Sequence, residues 1–192
     1  MKKLLIARPI ALCFTLSLLF LVLCPQQAAA GAFELSLGFS FNRSNYTGSN
    51  YSWSRHWGAT AGYYFTEHSE IEFSVQDIVD RTSIMGYEDT TFHDQIYSFN
   101  WVQSLTSKDF PVQPYVKVGL GQLNREATGS YANGGSPPAI VDSLTVVLGA
   151  GLRLYFTKKF AIRSEATTYL TGGNIQTWKN NVSTNIGVSF YF

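Results

Sequence analysis

Beyond residue 31 the chain repeats one pattern: apolar side chains alternate with small or polar ones. That period of two belongs to a strand whose faces meet different surroundings. In "AFELSLGFSFNR" (32–43), Phe33, Leu35, Leu37, Phe39 and Phe41 form one file, and Glu34, Ser36, Gly38, Ser40 and Asn42 the other. "HWGATAGYYF" (56–65) sets Trp57, Ala59, Ala61, Tyr63 and Phe65 together, and "SEIEFSVQ" (69–76) sets Ile71, Phe73 and Val75 against Glu70, Glu72 and Ser74. Residues 92–105 alternate least cleanly, because Gln103 shares a file with Tyr97, Phe99, Trp101 and Leu105. The pattern returns at 112–123, at 143–156 and at 160–171. An eighth segment, "NVSTNIGVSFYF" (181–192), carries Val182, Ile186, Val188, Phe190 and Phe192 on one file and no charged residue.

The connections carry separate information. Those after the second, fourth and sixth segments are short ("TEH", "TSKDFP" and "TKK"). Those after the first, third, fifth and seventh are long and polar, at 44–54, 77–91, 124–142 and 172–180. Eight strands of about 10 residues with short and long connections in turn fit a transmembrane barrel with short periplasmic turns and long outer loops. The expected fold is therefore all-β: an eight-stranded antiparallel up-and-down transmembrane barrel over residues 31–192.

A soluble eight-stranded barrel would turn the apolar files inward. Here the other file is mostly Gly, Ser, Thr, Asn and Tyr, a poor surface to offer water. Its charges, Glu34, Glu70, Glu72, Lys117, Arg153, Arg163 and Glu165, fall in the same half of the barrel when successive strands are laid in alternate directions. Acids and bases gathered at one level suit an enclosed interior, where an unpaired ion loses its hydration at a cost of several kcal/mol. Phe33, Phe65, Phe156, Phe160, Phe190 and Phe192 would mark one membrane interface, and Phe41 and Trp57 the other.

Composition agrees. Charged residues make up 14% of the chain, against an ordinary level of about 25%. Aromatics reach 15%, and the net charge of +1 offers nucleic acid no electrostatic hold. The first 30 residues read as a cleavable signal peptide: Lys2, Lys3 and Arg8, an apolar run over 10–24, Pro25, then "AAA" at 28–30. The apolar run is short for a bilayer span of about 20 residues, and Leu23 before Cys24 departs from a lipoprotein signal. Cys13 and Cys24 both lie in this segment, so the processed chain is expected to hold no disulfide and no cysteine metal ligand.

With these residues in view, the processed chain resembles the small eight-stranded outer-membrane barrels of the OmpA/OmpX-like superfamily. Its ending, with Ile186, Val188, Phe190 and the terminal Phe192, is similar to the signal that barrel-assembly machinery reads in that superfamily. The resemblance implies an integral protein of the outer membrane of a Gram-negative-type bacterium, monomeric, with both termini in the periplasm.

Chemistry is scarcely indicated. Lipid A deacylases share this architecture and resemble serine hydrolases, with His and Ser close together on a late strand and an acidic partner. Here the histidines are His56, His68 and His93, and none follows residue 93. "HSE" at 68–70 and the neighbours His93 and Asp94 fail on geometry, since adjacent strand residues point to opposite faces. The glycine-rich "GSYANGGSPP" (129–138) lacks the lysine and helix of a phosphate loop. No cofactor or metal is expected. Eight strands leave an interior that side chains fill, so a narrow channel gated by the charge cluster is the second expectation and a lipid A-modifying enzyme the third. The first is a structural or surface-interaction role through the four long outer loops, with an extracellular ligand or host surface as partner. Arg43, Arg55, Arg81, Arg125 and Lys179 fall near the outer strand ends, where they could hold lipopolysaccharide phosphates. Asp77, Asp80, Glu88, Asp89, Glu126 and Asp142 lie close by and dilute that basic ring, while Tyr46, Tyr51, Trp53, Tyr87 and Tyr131 decorate the loops.

Overall fold

The computed structural model describes residues 33–46, 50–107, 110–137, 140–172 and 182–192. The signal peptide expected at 1–30, Lys179 and all but the first residue of the connection at 172–180 lie outside the described residues. Eight strands run in chain order: β1 (Phe33–Asn45), β2 (Tyr51–Tyr64), β3 (Ser69–Ile84), β4 (Glu88–Ser104), β5 (Val112–Tyr131), β6 (Ile140–Thr157), β7 (Phe160–Thr171) and β8 (Val182–Tyr191). Each pairs antiparallel with its neighbours, and β8 returns to β1 to close the barrel. Closure matters because a wall in hydrocarbon must satisfy every backbone N–H and C=O within itself.

The period of two has its physical origin in this wall. Leu35, Leu37, Phe39, Phe73, Phe99, Trp101, Val118, Leu120, Leu152 and Ile186 stand exposed on the outside. Their sequence neighbours Glu34, Ser36, Glu72, Ser74, Ser98, Asn100, Lys117 and Arg153 are buried in the bore. The end where β1 begins and β8 finishes is called the lower end below. There Phe156, Phe160 and Phe190 pack in a row, with ring centroids 6.0 and 5.5 Å apart.

The strands are longer than their alternation predicts, and three of the expected loops are largely strand. Residues 77–84 continue β3, 88–91 open β4, 124–131 continue β5, and 51–54 open β2. Of the stretch 77–91 only Met85, Gly86 and Tyr87 lie between strands, and Gly86 takes the positive φ of +78° that the turn needs. The lower connection at 105–111 is longer than this upper one, so strict alternation of short and long loops does not hold. The reason is that pairing needs backbone groups alone, whereas an apolar outer file is needed only where the wall meets lipid. Above that band the outward positions turn polar, as at Asp77, Arg81, Asp89 and Glu126, while the ladder continues through them. The wall is uneven as a result: β3, β4 and β5 have 16, 17 and 20 residues, and β1, β7 and β8 have 13, 12 and 10.

Candidate functional site: the filled bore and the upper rim

The inward residues of β3, read upward, are Glu70, Glu72, Ser74, Gln76, Ile78 and Asp80, and they sample every layer of the bore. The lowest layer is ionic. Glu34 comes from β1, Glu70 and Glu72 from β3, Lys117 from β5, Arg153 from β6, and Arg163 and Glu165 from β7. The structure brings all seven into one connected network, with every member buried and Arg153 wholly so.

Arg153 Nη2 donates to Glu70 Oε2 at 2.6 Å and lies 2.9 Å from Glu34 Oε2. Arg163 reaches Glu72 Oε2 at 2.6 Å and Glu34 Oε1 at 3.5 Å, and its other Nη binds Glu165. Lys117 binds Glu165 and stands 3.4 Å from Glu72. Four carboxylates thus face three cations; neutral donors reach Glu34 and Glu165, while Glu70 Oε1 has no hydrogen-bond partner among the described residues. Tyr64 and Ser189 donate to Glu34 at 2.7 and 2.8 Å, and Tyr115 donates to Glu165 at 2.7 Å. The Tyr115 ring also lies under both guanidinium groups, 4.5 Å from Arg153 and 5.0 Å from Arg163, where its π-face attracts them. Glycine makes the room: Tyr115 occupies the space a Cβ on its partner Gly151 would need, and Glu70 does the same to Gly62.

Above the ions lies an apolar layer of Ile78, Ile96, Leu123, Val147 and Tyr169, the last bonded to Gln76. Sequence reasoning missed it, although the signal was present: each is an apolar side chain in an otherwise polar file, on neighbouring strands. Higher still a chamber of about 300 Å³ opens upward, lined by Ser40, Asn42, Ser54, Asp80, Asp94 and Arg125 among others. Arg125 grips Asp94 with two bonds, Nε to Oδ1 at 2.6 Å and Nη2 to Oδ2 at 2.5 Å. Among the described residues no three His, Cys, Asp or Glu side chains gather in a way that could hold a metal ion.

A family model for the outer membrane protein beta-barrel domain matches residues 15–192. The chain belongs to that family. It is an integral barrel of the bacterial outer membrane. The match begins inside the segment read as a signal peptide. Three solved structures have the same fold at low identity. The N-terminal barrel of Pseudomonas aeruginosa OprF is 18% identical with a TM-score of 0.55, covering 84% of this chain and 99% of that one. Ail, the attachment invasion locus protein of Yersinia pestis, is 16% identical with a TM-score of 0.52, covering 85% and 99%. Neisserial surface protein A is 18% identical with a TM-score of 0.50, covering 86% and 100%. A search of curated proteins found no sequence match.

The outer-membrane barrel presents its rim cations unequally. Arg43 of β1 and Arg81 of β3 flank Trp53 of β2 in register, and all three point outward. Phe41 stacks on Trp53 at 6.4 Å, and Arg43 lies 5.7 Å from the Tyr51 ring. Arg81 and Arg55 have loose partners, Asp89 at 3.6 Å and Asp77 at 3.8 Å. Arg125 does not belong with them: it faces the bore, because β5 presents its odd-numbered residues inward and pairs Arg125 with Asp94. It cannot touch surrounding lipid, which corrects its place among the expected lipopolysaccharide contacts. His93 and Asp94 part to opposite faces, Asp94 into the bore and His93 outward, where its Nε2 lies 2.6 Å from Asp77. On β8, Ile186 and Phe190 stand exposed on the outer face, as does Phe192 just beyond the strand, with Val188 half-buried between them.

Proposed function

We propose that this outer-membrane barrel is a closed, non-catalytic scaffold that works at its upper rim through contacts with the cell's surroundings. The observation that carries the reading is the filling of the bore: a buried ion network lies below an apolar layer contributed by β3 to β7, with a chamber above it. A side-chain-filled interior of this width suits packing rather than flow. The upper rim is then the exterior one, with both termini in the periplasm. Met85 (82% exposed) and Tyr87 (74%) crown the β3–β4 turn there. Exposed apolar tips suit contact with a macromolecular surface.

Arg43, Arg55 and Arg81 would hold phosphates of neighbouring lipopolysaccharide by bidentate bonding, and the alternating ending through Phe192 would serve barrel-assembly machinery. Ail has been solved in complex with the heparin analogue sucrose octasulfate, which makes a polyanionic saccharide a sensible first probe of this rim. The deciding experiment has three arms. Refolded protein in planar bilayers should give no discrete openings; openings abolished by Glu72→Gln would make it a channel instead. An epitope tag inserted at Gly86 should be readable on intact cells, and a tag seen only after permeabilisation would invert the assignment of the rim. Release of fatty acid from lipid A by the purified protein would overturn the non-catalytic reading.

A further inference from the structure

We propose that the upper part of the β1–β8 seam is a binding site for a single-chain amphiphile with a neutral or cationic head. The ladder between β1 and β8 runs from Glu34↔Tyr191 to Phe39↔Ile186 and stops there. Both strands continue upward, β1 to Asn45 and β8 from Asn185 back to Val182, yet no bridge joins them among these described residues. Side chains hold the strands together instead. His56 reaches from β2 to the Ser183 hydroxyl at 2.5 Å, and the Asn185 carboxamide lies over Gly38, in space that a Cβ would fill. The split begins level with Phe39 and Trp57, which face each other in the β1–β2 register.

A groove of about 820 Å³ runs sideways from the split across the outer face of β8, β7 and β6, walled by Phe39, Phe41, Ala150, Leu152, Ala166 and Ile186. Ser40 and Thr184 line both this groove and the chamber inside the barrel, so a wall one residue thick separates the two spaces at the split. Backbone groups left outside a ladder at the membrane interface call for a polar partner. An amphiphile supplies it: the tail lies in the groove, and the head meets the unbridged backbone at the split, beside the chamber. The chamber sets the head's charge. Among its described lining residues Asp80 and Asp94 stand against Arg125 alone, a net negative charge, so an alkyl amine or alcohol fits and a free carboxylate is repelled.

The test uses the full processed chain refolded in phosphatidylcholine vesicles, with a long-chain alkyl amine carrying a photoreactive group in its tail. Cross-links should concentrate on the groove walls, at Phe39, Phe41, Ala150, Leu152, Ala166 and Ile186. Unlabelled amine should displace them in the wild-type protein, and Ala166→Trp, which fills the groove, should reduce them about tenfold. Leu120→Trp on the far wall should leave them unchanged. Cross-links spread evenly over Phe73, Phe99 and Leu120 as well would mean ordinary boundary lipid and overturn the site. Equal labelling by the matching fatty acid would overturn the assignment of the head.

Discussion

The lower and upper halves of the bore contain the same kinds of side chain and treat them differently. Below the apolar layer, Glu34, Glu70, Glu72 and Glu165 share Lys117, Arg153 and Arg163 in a web where every ion but Glu70 touches more than one partner of opposite charge. Above it, Asp94 and Arg125 form one bidentate pair on the wall of an open chamber, with a tenth to a third of their side chains exposed. Where water is excluded, a charge must find its stabilisation in protein groups, so the sequence supplies several at once. Where water enters, one partner is enough. The layer of Ile78, Ile96, Leu123, Val147 and Tyr169 divides the two regimes.

The sharpest way to break that contrast is Arg153→Met. It leaves Glu34 and Glu70 facing each other without their shared guanidinium, and stranding buried charge costs about 3–5 kcal/mol. Urea unfolding in detergent, followed by tryptophan emission, should register that loss; a loss under about 1 kcal/mol would mean the lower half is wet and the contrast false. Ile96→Ala is expected to cost about 2–3 kcal/mol, at the low end for such a truncation, since the chamber above lets the site relax. The same variant should admit water to the ions, read as faster hydrogen exchange of the surrounding amides. Arg125→Met, removing the partly exposed pair, should cost about 1 kcal/mol. A value as large as that of Arg153 would erase the difference between the halves. Smallest of all, Met85→Ser at the turn should change stability by no more than about 0.5 kcal/mol while weakening surface binding by whole cells.

Legibility in the sequence followed the same physics. The outer file of β1 was readable residue by residue, because lipid on one side and a polar bore on the other enforce alternation throughout the membrane band. The upper halves of β3, β4 and β5 were not. There water lies on both sides, Asp77, Arg81 and Glu126 take outward positions, and nothing in the pattern separates such a strand from a loop. The seven interior charges could be placed together from strand direction alone. Arg125 could not be placed, since a stretch read as loop has no defined inward face. The split between β1 and β8 left no trace in the sequence either, for "SFN" and "VSTN" look as fit to pair as any other strand residues.

The sequence by itself determined the wall: its strand order, its lipid-facing files and the gathering of charge at one level, all consequences of a period of two that local geometry enforces. Only the tertiary structure decided which ion meets which, how far the ladders outrun the membrane and where the seam parts. Those depend on register and on distances across the bore, which bring together residues as far apart in the chain as Glu34 and Arg163. No local pattern can encode them.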